Sequence, residues 1–338
     1  MPINHAIVLD NRPEAEVSSS NFKMVTAETP ALQDGQVLVK NHYLSLDPYM
    51  RGRMNAGKNY AQPQPLGEPM IGGTVGEVAE SKNAKFKVGQ TVQCMGGWQA
   101  YSLINADVPG ALKHVNAEKI SMSHYLGAVG MPGVTAWYGL NKIIQAKPGA
   151  TVTVSAASGA VGSAYGALAK ARGLRVVGIA GGKAKCDYVV NELGFDACVD
   201  YKAHTDYISL SKALRDACPN GIDGHFENVG GMVLDAVMLR ANDFSRIAVC
   251  GMIAGYNGEP LSMTNPTLIL KSRMTIEVFI VSEHMEVWPE ALAELAELIA
   301  SGKFNPRQTI AQGLAAAPEA FMGLLKGHNF GKQVVKLI

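Results

Sequence analysis

The fold of this chain is decided by the stretch Thr151-Val152-Thr153-Val154-Ser155-Ala156-Ala157-Ser158-Gly159-Ala160-Val161-Gly162. Its β-branched first half predicts a strand, and the alanines and glycines that continue toward Arg172 predict a helix. The turn between them is a variant of the dinucleotide-binding pattern G-x-G-x-x-G, with Ala157 at the first glycine position, then Gly159 and Gly162. Gly159 lets a pyrophosphate approach the backbone, and Gly162 lets the helix pack closely on the strand. The sequence therefore predicts a dinucleotide site here, and a tight turn without a ligand is the alternative.

The segments around this turn divide the chain into two predicted domains. Over residues 123–302, short apolar strands alternate with Ala-rich helices, which is typical of a doubly wound parallel α/β sheet. Residues 1–122 carry short strands between Gly, Pro and Asn turns, which predict a β barrel or sandwich that residues 303–338 complete. The six strands predicted for the parallel sheet are Ala150–Ser155, Leu174–Ala180, Ala197–Asp200, Gly224–Asn228, Ser245–Gly251 and Met274–Val281.

Composition and charge exclude several functional classes. Of the 338 residues, 47% are hydrophobic and 17% are charged, which is the composition of a folded globular protein. The net charge of +1 gives nucleic acid and anionic membranes no electrostatic reason to bind. No apolar run reaches the roughly 20 residues of a membrane span. Five Cys without a C-x-x-C pair, and an N-terminus without a signal peptide, predict a cytoplasmic protein.

The segment after the second predicted strand indicates which dinucleotide binds. NAD-binding folds carry an acidic residue about 20 positions after the glycine turn, where it holds the ribose 2′-hydroxyl. Here residues 180–185 read Ala-Gly-Gly-Lys-Ala-Lys, with two lysines and no carboxylate. A lysine attracts a 2′-phosphate, whereas a carboxylate repels it. The sequence therefore predicts NADP(H) as the cofactor. The alternative is that Lys183 and Lys185 are only a solvated first turn of a helix.

Four segments together resemble one enzyme family. They are Leu46-Asp47-Pro48-Tyr49-Met50-Arg51, Met131-Pro132-Gly133-Val134-Thr135-Ala136-Trp137-Tyr138-Gly139-Leu140, the glycine turn at 156–162, and Glu227-Asn228-Val229-Gly230-Gly231. Over essentially the whole chain the sequence resembles the zinc-independent medium-chain dehydrogenases/reductases of the prostaglandin/leukotriene reductase and curcumin reductase branch. The resemblance implies a GroES-like β domain (1–122, completed by 303–338), a Rossmann domain (123–302) and a homodimer. It also implies NADPH-dependent reduction of the carbon–carbon double bond of α,β-unsaturated ketones and aldehydes.

The resemblance further implies a set of cofactor contacts. They comprise Ala157, Ser158, Gly159, Ala160, Val161 and Gly162 at the turn, Lys185 for the 2′-phosphate, Tyr201 for the adenosine, Asn228 after the fourth strand, Cys250, Gly251, Met252, Ile253 and Tyr256 after the fifth, Phe279, Ile280 and Val281 beside the nicotinamide, and Asn329 from the C-terminal segment. Ligands of doubly wound sheets lie at the carboxyl ends of the strands, which is where most of these residues fall.

No metal site is predicted. Zinc alcohol dehydrogenases of the same superfamily need Cys and His ligands in the β domain. Here Cys94 is the only Cys before residue 186, and Leu66 stands where a ligand His would precede Gly67-Glu68. A tetrahedral zinc site cannot be assembled from one Cys. Conjugate hydride addition does not need a metal, because hydrogen-bond donors suffice to stabilise the enolate oxygen that develops.

Three tyrosines are the candidate catalytic donors: Tyr49, Tyr60 and Tyr256. Each phenol has an ordinary pKa near 10 and is a neutral O–H donor at pH 7. Tyr256 is favoured because it follows Gly251 and Gly255 in the loop that leaves the fifth strand. Tyr49 and Tyr60 could equally be ordinary apolar wall.

Two other functions stay open at this point. A quinone reductase shares the fold and the cofactor, although such enzymes lack the Leu-Asp-Pro-Tyr-Met-Arg run at 46–51. A protein that binds NADP(H) without turnover, as a scaffold or redox sensor, is the second alternative. The homodimer is expected to form through Met274–Val281, because an apolar edge strand is an aggregation hazard unless it is covered.

Overall fold

A computed structural model of the chain describes residues 1–261 and 263–338. Its strands, in chain order, are β1 (Ile3–Leu9), β2 (Phe22–Glu28), β3 (Gln36–Ser45), β4 (Thr74–Ser81), β5 (Thr91–Cys94), β6 (Tyr101–Asn105), β7 (Leu112–His114), β8 (Thr151–Ser155), β9 (Arg175–Ala180), β10 (Ala197–Asp200), β11 (Ile222–Glu227), β12 (Ala241–Val249), β13 (Thr275–Val278), β14 (Gln308–Gln312) and β15 (Lys332–Lys336). Its α-helices are α1 (Tyr49–Arg53), α2 (Met131–Tyr138), α3 (Ala160–Ala171), α4 (Lys183–Asn191), α5 (Tyr207–Ala217), α6 (Met232–Met238), α7 (Thr267–Lys271), α8 (Trp288–Ala300) and α9 (Ala317–Leu325).

The predicted doubly wound sheet is confirmed. Six parallel strands lie side by side in the order β10-β9-β8-β11-β12-β13. This is the order 3-2-1-4-5-6 of a Rossmann sheet, whose direction of winding reverses between its first and fourth strands. The reversal lies here between β8 and β11, so the carboxyl ends of those two strands border the crevice in which such sheets bind dinucleotides.

The last strand of this sheet is shorter than predicted. The sequence predicts Met274–Val281, whereas β13 spans Thr275–Val278. The chain then turns inward, because the ring of Phe279 stacks on Tyr138 at 5.1 Å between centroids and both Phe279 and Val281 are buried. Burial of these apolar side chains outweighs the strand propensity of the segment.

A second sheet is built from the two ends of the chain. Its strands run in the order β14-β15-β3-β4-β5-β7, and β6 pairs with β3 beside this path. β1 and β2 form a separate antiparallel pair. The C-terminal strand β15 pairs antiparallel with β3, which confirms that the tail returns to the first region. A cluster that includes Trp98, Phe321 and Met50 packs α9 against this region.

The chain divides into two compact units, residues 1–126 with 308–338 and residues 127–307. Both boundaries lie further along the chain than the predicted 122/123 and 302/303. Leu126 packs with Val75 and Val334, which keeps the turn Met122–Leu126 with the first unit. The backbone N–H of Arg307 donates to the Tyr188 hydroxyl at 3.1 Å, which holds the end of the second unit.

Within the part of the chain that the structure describes, no helix is long and apolar enough to cross a membrane.

Candidate active site

The glycine turn connects β8 to α3 at the carboxyl edge of the parallel sheet. Gly159 caps the helix, and Ala156 adopts a left-handed backbone conformation with φ of 50°. A Cβ atom added at Gly162 would lie 2.4 Å from the Ala156 carbonyl oxygen and 2.7 Å from the Ala157 Cα. Residue 162 must therefore be glycine for α3 to pack this closely on the strand.

The turn offers backbone donors to a ligand. The N–H of Ser163 donates to the Gly159 carbonyl at 2.9 Å, which is the first hydrogen bond within α3. The N–H groups of Ala160, Val161 and Gly162 precede it and have no acceptor inside the helix. Together with the positive end of the helix dipole, they form a cradle that fits a phosphate group. The residues of the turn fit the pyrophosphate of a dinucleotide in this respect.

Two lysines, Lys185 in the first turn of α4 and Lys202 in the turn after β10, lie close enough for their charges to interact. A Cβ atom added at Gly181 would lie 2.9 Å from Tyr201 Cε1 and 3.0 Å from Lys202 Cε, so both side chains fold over this glycine. Burial lowers the pKa of Lys185, and the positive charge of Lys202 lowers it further. Lys185 and Lys202 therefore raise the local positive potential together, which fits a 2′-phosphate. Sequence reasoning missed Lys202, although its position directly after Tyr201 was a usable signal.

Lys183, the other lysine of residues 180–185, is paired with a carboxylate of its own helix. Lys183 forms an ion pair with Asp187 one turn along α4, at 2.6 Å, and its side chain is 85% exposed. Asp200, at the end of β10, places a carboxylate near the lysine pair. Its Oδ1 accepts hydrogen bonds from the backbone N–H groups of Gly182 (2.7 Å) and Lys202 (3.0 Å). Asp200 thus holds the backbone of Gly182, after β9, next to the end of β10.

A fully buried carboxylate, Glu227, joins the ends of β8 and β11. Its Oε1 accepts from the Ser155 hydroxyl (2.6 Å) and from the backbone N–H groups of Val229 (2.5 Å) and Gly230 (3.0 Å). Its Oε2 lies 3.1 Å from His225 Nε2. Burial alone raises the pKa of Glu227, but His225, the Ser155 hydroxyl and the Val229 N–H outweigh it and hold the pKa below the ordinary value. The sequence-based set did not include Glu227 or His225.

Asn228 strengthens the same junction. Its backbone N–H donates to the Ser155 hydroxyl at 2.7 Å, and its Nδ2 donates to the Ser155 carbonyl at 2.8 Å. The loop after β11 is thereby fixed to the end of β8, at the reversal of the sheet. The predicted contact of Asn228 with the cofactor stays a prediction.

The segment after β12 folds across this junction. The backbone N–H groups of Cys250 and Gly251 donate to the Glu227 carbonyl, at 3.0 and 3.2 Å. The Ile253 N–H donates to the Asn228 carbonyl at 3.1 Å. A Cβ atom added at Gly251 would lie 3.1 Å from the Tyr256 hydroxyl, so this hydroxyl lies over the end of β12. Met252 lies within the same segment. Burial raises the pKa of the Cys250 thiol to about 12, which keeps it neutral.

Known proteins share this architecture. Residues 5–111 match the family described as the N-terminal domain of oxidoreductase, and residues 160–297 match the zinc-binding dehydrogenases. The NADPH-dependent curcumin reductase of Escherichia coli is 40% identical, over 99% of this chain and 97% of that protein. The NADP(+)-dependent 2-alkenal reductase of Nicotiana tabacum is 40% identical, over 98% of this chain and 95% of that protein. The chain belongs to the medium-chain dehydrogenase/reductase family.

A solved structure extends this agreement to three dimensions. The crystal structure of CurA from Vibrio vulnificus in complex with NADPH superposes with a TM-score of 0.92. It is 41% identical and covers 99% of both chains. The resemblance to the curcumin reductase branch of the medium-chain family, drawn from motifs such as Met131–Leu140, is thereby confirmed. The chain is an oxidoreductase of that branch.

Four further predicted cofactor residues of this medium-chain reductase are Phe279, Ile280 and Val281, which directly follow β13, and Asn329. Phe279 and Val281 are buried in the core of the second unit, and the Phe279 ring packs edge-on against Phe226 at 6.1 Å. Asn329 belongs to the first unit, where its Nδ2 donates to the Gly331 carbonyl at 2.8 Å. The cofactor contacts predicted for these residues stay predictions.

The two remaining candidate donors also belong to the first unit. Tyr49 is the first residue of α1, and burial followed by the negative charge of Asp47 raises its pKa. Its hydroxyl is therefore neutral at physiological pH. Tyr60 is 57% exposed in the segment that precedes Pro63. The catalytic roles of Tyr49 and Tyr60 stay predictions.

In residues 1–261 and 263–338, no three His, Cys, Asp or Glu side chains are grouped so that they could hold a metal ion. The Cys94 thiol is buried, which raises its pKa to about 11. That this member of the family works without a metal stays a prediction.

Proposed function

We propose that the protein uses NADPH to reduce the carbon–carbon double bond of α,β-unsaturated ketones and aldehydes. The observation that carries this proposal is a single row of features along the carboxyl edge of the parallel sheet. It begins with Lys185 and Lys202, continues with the donor cradle of α3, and ends at the Tyr256 hydroxyl. The similarity to the curcumin reductase and the 2-alkenal reductase supports the substrate class.

The residues of this row would divide the cofactor between them. The backbone N–H groups at 160–162 would hold the pyrophosphate, and Lys185 and Lys202 would hold the 2′-phosphate. Tyr201, which folds over Gly181, would flank the adenosine. NADPH, when bound, supplies the hydride that goes to the β-carbon of the substrate. The Glu227 junction would keep the loops on both sides of the sheet reversal in place.

Tyr256 would stabilise the charge that develops on the substrate. Hydride addition to the β-carbon moves negative charge onto the carbonyl oxygen, which becomes an enolate oxygen. A hydroxyl that donates a hydrogen bond to this oxygen stabilises the transition state more than the ground state. A proton then reaches the α-carbon to complete the reduction. Tyr49 and Tyr60 are the alternative donors.

Oxidation of NADPH, followed by its absorbance, tests this function. We expect a simple enone to consume NADPH in a one-to-one ratio and a quinone not to do so. Consumption with the quinone alone would make the protein a quinone reductase. Tight binding of NADPH without turnover of either compound would make it a non-catalytic NADP(H)-binding protein.

Lys185→Ala is expected to raise the Michaelis constant for NADPH about tenfold and to leave that for NADH nearly unchanged. The reason is that a hydrogen bond to a charged group contributes about 1.5–3 kcal/mol. Lys202→Ala is expected to act in the same direction. Steady-state kinetics with both cofactors measure the effect.

Lys183→Ala is the matched control for this prediction. It removes the same charge from the same helix, but Lys183 is exposed and paired with Asp187. An exposed ion pair of this kind contributes little. The Michaelis constants of this variant should match those of the unmodified protein. Equal losses for NADPH and NADH in Lys185→Ala would remove the assignment of Lys185 to the 2′-phosphate.

We also propose that the protein is a homodimer joined through β13. This strand is the edge of the parallel sheet, and Val278 on it is 70% exposed. Pairing with a second copy would cover the edge.

Sedimentation at micromolar concentration should show a dimer, and Val278→Lys should shift it to monomer. Val88→Lys changes an equally exposed valine (66%) elsewhere and should leave the dimer intact. A monomeric unmodified protein would contradict the proposal.

A cytoplasmic location is part of the same proposal. It is supported by the cysteines, all five of which are free thiols. Cytoplasmic glutathione and thioredoxin keep thiols in this state. Fractionation of the source cells, followed by immunodetection of the protein, would test the location.

A further inference from the structure

Two cysteines of the second unit lie against each other beside the lysine pair. Cys186 is in the first turns of α4 and Cys198 is in β10, and their Sγ atoms are 3.1 Å apart. Both side chains are partly exposed. A disulfide has an S–S distance of about 2.05 Å, so the two sulfur atoms lie about 1 Å farther apart than in the bond.

The two thiols differ in character. Cys198 donates a hydrogen bond to Cys186 Sγ. This bond lowers the pKa of Cys186, although burial opposes it, while the same contact and burial raise the pKa of Cys198. Cys186 is therefore the thiol that attacks an oxidant first. Cys198 keeps its proton at that stage and forms the S–S bond in the second step. Burial raises the pKa of Cys94 and of Cys218 to about 11, which makes them poor nucleophiles.

We propose that Cys186 and Cys198 are a site of reversible disulfide formation by peroxides. We also propose that the disulfide weakens binding of a 2′-phosphorylated adenine nucleotide. The second statement rests on the proposed NADPH dependence, whereas the first does not.

The chemistry balances with hydrogen peroxide as the oxidant. The Cys186 thiolate attacks one peroxide oxygen, so that an S–O bond forms, the O–O bond breaks, and hydroxide leaves. Cys198 then gives its proton to that hydroxide, which becomes water, and its sulfur attacks the sulfur of the Cys186 sulfenic acid. The S–S bond forms, the S–O bond breaks, and the second oxygen leaves as hydroxide, which takes up the proton that Cys186 had lost. Overall, two thiols lose two electrons and two protons, and one peroxide becomes two water molecules. A dithiol reductant reverses the reaction by thiol–disulfide exchange.

The position of the pair connects the disulfide to nucleotide binding. Lys185 directly precedes Cys186 on α4, and Lys202 follows the end of the strand that carries Cys198. Closing the S–S bond draws the first turn of α4 toward β10, which changes the separation of the two ammonium groups. A charge-assisted contact depends on its geometry, so the 2′-phosphate should bind about tenfold more weakly to the oxidised protein.

Peptide mapping tests the first statement. The reduced full-length protein is treated with a stoichiometric amount of hydrogen peroxide, its remaining thiols are alkylated, and it is digested without reductant. We expect one cross-linked pair of peptides containing residues 186 and 198, which dithiothreitol separates. Cys186→Ser and Cys198→Ser should each abolish it, and the matched control Cys218→Ala should retain it. Absence of the cross-link in the folded unmodified protein would overturn the proposal.

Titration calorimetry with two probes tests the second statement. Adenosine 2′,5′-bisphosphate carries the 2′-phosphate, and adenosine 5′-monophosphate lacks it. Oxidation should weaken the bisphosphate about tenfold and leave the monophosphate within twofold, and dithiothreitol should restore binding. Equal affinity of both redox forms for the bisphosphate would refute the coupling. If the reduced protein does not prefer the bisphosphate, the NADPH assignment fails together with the coupling, while the mapping result still decides the disulfide.

Discussion

Tyr256→Phe is expected to cut the turnover of an enone about 100-fold while the affinity for NADPH stays within about twofold. Removal of one donor to a developing oxyanion costs about 10²–10³ in rate. We expect the lower end because a ribose hydroxyl of the cofactor can share the task. The aromatic ring of residue 256 remains in the variant, so cofactor binding should be preserved. Single-turnover kinetics and a separate NADPH titration measure the two quantities.

Tyr49→Phe and Tyr60→Phe are the matched controls, since each removes one phenol hydroxyl from the first unit. Neither should reduce turnover as much as Tyr256→Phe. A large loss in one of them, with full activity in Tyr256→Phe, would transfer the donor role to that residue. A Tyr256→Phe variant that loses NADPH affinity in proportion to rate would instead make Tyr256 a residue that positions the cofactor.

Glu227→Ala is expected to lower the free energy of unfolding by about 3–5 kcal/mol, because each buried donor left without an acceptor costs about 1–3 kcal/mol. The substitution strands the Ser155 hydroxyl and the N–H groups of Val229 and Gly230 without their acceptor. Glu227→Gln keeps one acceptor oxygen in the same shape and should cost less. Urea unfolding of both variants measures the difference, provided the transitions are two-state.

The same carboxylate predicts how stability depends on pH. The pKa of Glu227 in the folded protein lies below its ordinary value of 4.5. Its contribution is therefore fully present above that value and is lost as the pH falls through the folded-state pKa. As the pH falls from neutral to below the folded-state pKa of Glu227, the free energy of unfolding of the unmodified protein should fall more than that of Glu227→Gln. Parallel stability curves for the two proteins would contradict this account of Glu227.

The motif and pattern predictions succeeded where the deciding residues are close together in the chain. The strand, turn and helix at 151–162 depend on local propensity and on one close approach that requires Gly162, so the sequence predicts them directly. The six parallel strands follow from the same alternation of apolar strand and Ala-rich helix. The NADP(H) cofactor was also predicted from a local feature, because the segment that follows β9 has two lysines and no carboxylate.

Contacts between distant residues were decided only by the tertiary structure. Ser155 and Glu227 are 72 residues apart, and pairing of β8 with β11 brings them together. Lys202 reaches the side of Gly181 because β9 and β10 are neighbours in the sheet. β13 ends early because its next residues gain more from burial against aromatic rings than from extending the strand. Strand order and core packing set these contacts, and a linear pattern of residue types does not encode which distant groups will meet.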